Sequence, residues 1–158
     1  GMVLRGATGR SIADLVREKL IVPLGQEADA YYLTDGYEVA FVLGGLNITT
    51  RDYARLGLMF ANGGTWNRQQ IVPADWVIES TTPSAKTPAG ATQYGYQWWM
   101  ASDATPREYF ARGIYGQYIY IDEDADVVIV MTSADRQFRK EGRGREDILM
   151  FRTIADLQ

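Results

Sequence analysis

Hydrophobic and polar positions change their period a little under three fifths of the way along the chain. Before that point the apolar residues recur at helical spacing. Ile12, Leu15, Val16 and Leu20 form one stripe, and that spacing predicts an amphipathic helix with a single buried face. Ser11 stands where an N-cap belongs, with Asp14 three residues on, a capping-box variant at a helix end that favours an acid. Pro23-Leu24-Gly25 ends the segment. Residues 26–43 read as an irregular connection, with Tyr31, Tyr32 and Tyr37 around a turn at Asp35-Gly36. Thr49 and Asp52 repeat the capping logic ahead of Tyr53, Leu56, Met59 and Phe60, and Asn62-Gly63-Gly64 supplies the stop. A short third helix is expected from Pro73 through Trp76 and Val77. Residues 81–92, rich in Thr, Pro, Ala and Gly, read as a loop.

From Thr92 onward the pattern is that of strands. Tyr94 to Met100, Glu108 to Ile114, Tyr118 to Ile121 and Val127 to Thr132 are the expected elements. The run Val127-Val128-Ile129-Val130-Met131 is continuously apolar, which predicts a central strand covered on both faces. Short, turn-rich links favour antiparallel neighbours. Arg145 to Leu157, carrying Ile148, Leu149, Phe151 and Ile154, closes the chain as a helix on that sheet. The fold class is therefore α+β, a single unit with a helical part over about 9–80 and a sheet with its terminal helix over about 93–158.

Charge and composition narrow the chemistry. The formal charge is −4, which leaves no basic excess for nucleic-acid phosphates. A basic stretch at Arg136, Arg139, Lys140, Arg143 and Arg145 is interleaved with Asp135, Glu141, Glu146 and Asp147, and reads as a solvated loop leading into a helix. No apolar run is long enough for a membrane span. The chain has no histidine and no cysteine, so disulfides, thiolate nucleophiles, Cys/His zinc sites and a Ser-His-Asp triad within it are excluded. Asp122-Glu123-Asp124 is read as a tight acidic turn between strands, and no metal ligand set is assigned. Arg51 and Asp52 are explained by a capped helix start with an ion pair. Composition does not choose a compartment.

Several segments, taken in order, resemble the C-terminal half of the Ser-x-x-Lys hydrolases of the β-lactamase and penicillin-binding-protein superfamily. Class C β-lactamases, related esterases and especially 6-aminohexanoate-oligomer hydrolases come nearest. The segments are Gly9-Arg10-Ser11-Ile12 through Pro23-Leu24-Gly25, Gly44-Gly45-Leu46-Asn47 with Arg51-Asp52-Tyr53-Ala54-Arg55-Leu56-Gly57, Gly63-Gly64 to Ile71-Val72-Pro73, Tyr94-Gly95-Tyr96-Gln97-Trp98-Trp99, and Gly113 to Asp122 followed by Val127-Val128-Ile129-Val130. The resemblance implies part of the serine β-lactamase-like (DD-peptidase-like) fold. It implies hydrolysis of an amide, lactam or ester through an acyl-serine intermediate, with no metal or organic cofactor.

The nucleophile does not lie within these residues. The residues three positions after Ser11, Ser80, Ser84, Ser102 and Ser133 are Asp14, Pro83, Thr87, Thr105 and Arg136. None is the lysine that would share a helix face with its serine. No tyrosine is followed two residues later by asparagine. Both motifs are expected upstream of Met2 in a complete relative, and the chain alone is expected to be inactive. The third motif of the family, a Lys-Thr-Gly or His-x-Gly triplet, matches Ala111-Arg112-Gly113. Its first position has lost the polar side chain, which weakens a β-lactamase assignment more than a general hydrolase one. By the resemblance, Ile114 offers its backbone N–H as half of an oxyanion hole, while Gly113 aims that strand and Arg112 is a candidate substrate contact. Tyr115 is left between substrate contact and core. Trp98 and Trp99, on opposite faces of a strand, place at least one ring in the core and leave the other as a candidate cleft wall. A competing class is a non-enzymatic aromatic-rich binding module. The isolated chain is expected to form a homodimer, because a sheet short of cover leaves an apolar face and an open edge.

Overall fold

The computed structural model describes residues 1–158, which divide into two compact units, Gly1–Leu56 and Gly57–Gln158. No helix in it is long and apolar enough to cross a membrane.

In the first unit an unanticipated helix, α1 (Met2–Thr8), has no side-chain cap and no buried residue, and ends on the left-handed Gly9. The next helix starts as expected. Ser11 accepts from the Asp14 N–H at 3.0 Å and donates its hydroxyl to the Asp14 carboxylate at 2.7 Å. The helix begins as α2 (Ile12–Val16), widens into a π turn (Arg17–Ile21) and finishes as α3 (Val22–Leu24) before left-handed Gly25. Pro23 explains the widening: it has no N–H to give, and its ring crowds the carbonyl four residues back, so the extra residue per turn relieves it. The stretch expected to be irregular contains a short antiparallel pair, β1 (Tyr31–Tyr32) with β2 (Leu46–Asn47). Its inner turn is held by Asp35 Oδ1, which accepts from the N–H groups of Tyr37 and Val39 at 2.8 and 3.0 Å. Gly45 is required there, since a Cβ would meet the Phe41 carbonyl oxygen at 2.5 Å.

Helix α4 (Thr50–Ala61) opens on the expected cap: Thr49 Oγ1 accepts from the Asp52 N–H and donates to Asp52 Oδ2. Asp52 is fully buried. Burial raises its pKa, but the Glu27 N–H, the Thr49 hydroxyl and the ion pair to Arg55 outweigh that and hold the carboxyl below its usual range. The helix ends in a Schellman motif, with the Gly63 and Gly64 N–H groups bonding the Phe60 and Met59 carbonyls at 2.9 Å each.

The second unit is built on a five-stranded antiparallel sheet of order β5-β6-β7-β8-β9, with β5 (Gln93–Tyr94), β6 (Trp99–Met100), β7 (Glu108–Gly113), β8 (Gln117–Asp122) and β9 (Val127–Met131). Ahead of it stand a small hairpin, β3 (Thr65–Trp66) with β4 (Gln69–Gln70), and helix α5 (Ala74–Thr81), which begins just after Pro73. Helix α6 (Arg143–Ala155) covers one face of the sheet, where Phe110, Tyr118, Tyr120, Ile148 and Phe151 form the core. The other face receives the C-terminal half of α4. Gly57 permits the approach, because a Cβ there would meet Val128 Cγ1 at 2.7 Å and Ile119 Cγ2 at 2.9 Å.

Two expectations are corrected. Tyr94–Met100 is not one strand but a hairpin, pairing Gln93 with Met100 and Tyr94 with Trp99. The chain reverses because the Gly95 N–H bonds the Trp98 carbonyl at 2.9 Å and Gln97 takes a positive φ of 70°. Gly95 lies against the Ser80 carbonyl, where a side chain would collide. Nor is β9 central. It is the last strand of the sheet, paired with β8 alone and half-buried at every residue. Its apolar side chains answer to the helices above and below, and these cover an edge strand as readily as an inner one.

Candidate functional site

The segment that the sequence singles out lies at one end of the β7–β8 ladder. Strand β7 alternates strictly. Glu108, Phe110 and Arg112 share the face under α6, and Tyr109, Ala111 and Gly113 share the other, where Tyr109 meets Trp98 edge-on at 5.2 Å. The strand stops at Gly113, which pairs with Gln117. Ile114 begins a one-turn segment, Ile114–Gly116, in which Tyr115 adopts φ 62°, ψ 20° and Gly116 follows at φ 79°. Left-handed backbone is uncommon for an aromatic residue and is found where surrounding structure enforces it, frequently at functional sites.

The enforcing contacts come from residues 132–142. The Asp135 N–H donates to the Tyr115 carbonyl at 3.1 Å, Ser133 Oγ accepts from the same N–H at 3.2 Å, and the Phe138 ring meets Tyr115 at 5.5 Å. Ile114 is 57% and Tyr115 44% exposed. Two half-exposed side chains thus stand at the mouth of the hairpin, beside a glycine that adds none. Preorganised N–H groups stabilise an oxygen on which negative charge develops.

Gly113, Ile114 and Tyr115 are contiguous at this corner. Arg112 is not with them. Its guanidinium lies on the α6 face, donating to the Phe138 carbonyl at 3.3 Å, resting over the Tyr118 ring at 5.7 Å and packing against Gly144. Trp98 is a core residue, 6% exposed between Phe60 and Tyr109. Trp99 is half-buried, tilted against Tyr94 at 4.4 Å and packed on the α6-side core. Ser133, Asp135 and Phe138, which brace the turn, were missed from sequence: Asp135 and Phe138 fall in the supposed solvated basic stretch, and Ser133 lies just ahead of it. The one signal was a lone aromatic residue inside a charged run.

Comparisons with known proteins give the family and the fold. Residues 1–150 match the family model for Beta-lactamase. A 6-aminohexanoate-dimer hydrolase from Paenarthrobacter ureafaciens is 28% identical over 141 residues, 84% of this chain and 36% of that protein. Among solved structures, a protein described as a putative 6-aminohexanoate-dimer hydrolase from Bacillus anthracis superposes with a TM-score of 0.83 at 30% identity, over 98% of this chain and 40% of its own. A protein described as a putative beta-lactamase from Bacteroides dorei DSM 17855 shares the fold with a TM-score of 0.67 at 19% identity, over 95% and 54%. The chain thus spans about two fifths of the hydrolases it matches.

Proposed function

Because the chain belongs to the beta-lactamase family, we propose that it forms the oxyanion-binding wall of an acyl-serine hydrolase that cleaves amide or ester bonds. The observation that carries this reading is the corner Gly113–Gly116, with its half-exposed Ile114 and its braced left-handed Tyr115. In the reaction, a serine Oγ supplied by a Ser-x-x-Lys segment outside these residues attacks the substrate carbonyl carbon and gives its proton to the adjoining base. The carbonyl π pair moves onto oxygen, where the Ile114 N–H and the N–H of that serine donate. Collapse expels an amine or alcohol, which takes the proton, and water then repeats the sequence on the acyl-serine ester. Two of the matched proteins carry the name 6-aminohexanoate-dimer hydrolase, which supports a linear amide over a lactam or a peptide. No metal or organic cofactor enters the proposal.

The test is labelling. The chain of 158 residues, incubated with a fluorophosphonate or a penicillin, is expected to gain no mass, and a longer chain bearing the upstream segment is expected to gain one adduct. A stoichiometric serine adduct on residues 1–158 would overturn the division of labour. A non-enzymatic binding module is favoured by one observation, the exposed parallel stack of Trp76 and Tyr96 at 5.4 Å. Ligand binding without hydrolysis in the longer chain would establish it. The isolated chain is also proposed to pair two-fold through the open apolar edge of β9. Light scattering that gives a constant 17.7 kDa mass across micromolar concentrations would refute that.

A further inference from the structure

On the α6 side of the sheet lies a cavity of about 590 Å³ whose wall gathers Arg112, Arg139, Lys140 and Arg145, with Tyr118, Phe110 and Ile148 beneath. None of these four cations forms an ion pair. Asp103 and Glu108 pair with Arg152, and Asp135, Glu146 and Asp147 pair with Arg143. In a chain of net charge −4, four solvent-exposed cations without an ion-pair partner gather around one hollow. They surround the first turn of α6, the positive end of a helix of 13 residues whose N-cap, Gly142, has no side-chain cap.

Two further features suit a ligand. Tyr118 is 3% exposed, and its hydroxyl has no hydrogen-bond partner. Burial, with Asp147 adding to it and Arg112 opposing it, pushes that hydroxyl up to about 12, so it remains a donor at ordinary pH. Gly144 keeps the helix backbone open against Arg112, since a Cβ there would meet the guanidinium Nη1 at 3.0 Å. Cationic rim, orphan donor and aromatic floor together describe a receptor for an amphipathic anion.

We propose that this cavity binds an organic oxyanion, a carboxylate or phosphate group on an apolar stem. Arg112, Lys140 and Arg145 neutralise its oxygens, the Tyr118 hydroxyl donates to one of them, and Phe110 and Ile148 hold the stem. The site is on the face of β7 away from Ala111 and Gly113 and needs no nucleophile.

Calorimetric titration of the whole chain with phenyl phosphate, benzoate and inorganic phosphate tests it. Phenyl phosphate or benzoate should bind saturably, at least roughly tenfold more tightly than inorganic phosphate, and the tighter of the two identifies the headgroup. Lys140→Glu and Arg145→Glu should each weaken that binding roughly tenfold or more. Tyr118→Phe, which keeps the ring, should weaken it several-fold with the thermal midpoint unchanged. Lys86→Glu, outside the cavity, should leave it intact. The proposal falls if no probe saturates by about ten millimolar, if inorganic phosphate binds as well as phenyl phosphate, or if Lys86→Glu weakens binding as much as Arg145→Glu.

Discussion

The two ends of the β7–β8 ladder are built on opposite plans. At the Glu108 end everything is closed. Glu108 is buried, accepts from the Tyr120 hydroxyl at 2.9 Å, and is gripped at both oxygens by Arg152 at 2.7 and 2.8 Å, which also holds Asp103. Tyr109, on the opposite face, is buried and donates to Glu123 at 2.8 Å. At the Gly113 end the backbone turns left-handed and the side chains of Ile114 and Tyr115 reach solvent. One end is saturated with partners, and the other is held in shape by contacts from behind. A rigid, fully paired end lets the other hold its left-handed turn in fixed position, and the proposed preorganised donor requires that fixed position.

The comparison breaks most readily at the closed end. Arg152→Met removes the cation and leaves Glu108 buried without it, so a loss of about 3–5 kcal/mol in denaturant unfolding is expected. A loss under about 1 kcal/mol would mean the network is a surface ion pair. At the open end the sensitive quantity is rate. In a longer chain with activity, Gly113→Pro should raise the barrier by about 3–4 kcal/mol through misdirection of the Ile114 N–H, while Trp66→Phe leaves kcat nearly unchanged. Equal rates for the two would remove Ile114 from the reaction.

Backbone strain gives a smaller effect. Tyr115→Val should cost about 1–3 kcal/mol, since a β-branched residue resists the left-handed region, and Tyr115→Asn should cost less because asparagine tolerates it. Equal unfolding midpoints would show that the turn relaxes. The smallest expected effect is a slope with pH. Burial, the largest cause, and the adjoining carboxylates of Glu123 and Glu108 raise Tyr109 and Tyr120 well above the usual phenol range. The folded state therefore holds these protons more tightly than the unfolded chain. Their contribution is complete below about pH 10 and is lost as pH rises beyond it, by about 1.4 kcal/mol per pH unit for each tyrosine. Tyr120→Phe should flatten that decline. A decline equally steep in the variant would locate its cause elsewhere.

What the sequence disclosed, and what it concealed, divides along the same physical line. Ser11 with Asp14, Thr49 with Asp52, and Asn62-Gly63-Gly64 act within a single helical turn, and their caps and stops are where local chemistry puts them. Strands β7, β8 and β9 were legible because their apolar pattern is long. Helix α1 was not, since it has neither a capping side chain nor a buried stripe. The hairpin turns at Asn67-Arg68 and Gln97 were hidden because the positive φ falls on residues other than glycine. Neighbour order in a sheet is a tertiary property, so the apolar run of β9 revealed cover but not position. Within the candidate site, the triplet Ala111-Arg112-Gly113 was visible. The convergence of Arg112, Arg139 and Arg145 on one hollow was not, because the charges that interleave with them along the chain point elsewhere in space.

The uniformity of β9 has a consequence for alignment. A strand whose residues alternate apolar and polar declares which face is inward, and a slip of one residue exposes the error at once. Val127-Val128-Ile129-Val130-Met131 makes no such declaration: displaced by one, it would show each face an equally greasy set. The ruler is the preceding turn. Asp122 Oδ1 collects the N–H groups of Asp124 and Ala125 at 3.1 Å each, Arg107 pairs with Asp124 at 3.1 Å, and Asp126 takes a positive φ of 55°. Those acidic residues measure out how far the last strand advances before it lies beside its neighbour, so the alignment of the greasiest element in the molecule is set by its most charged one.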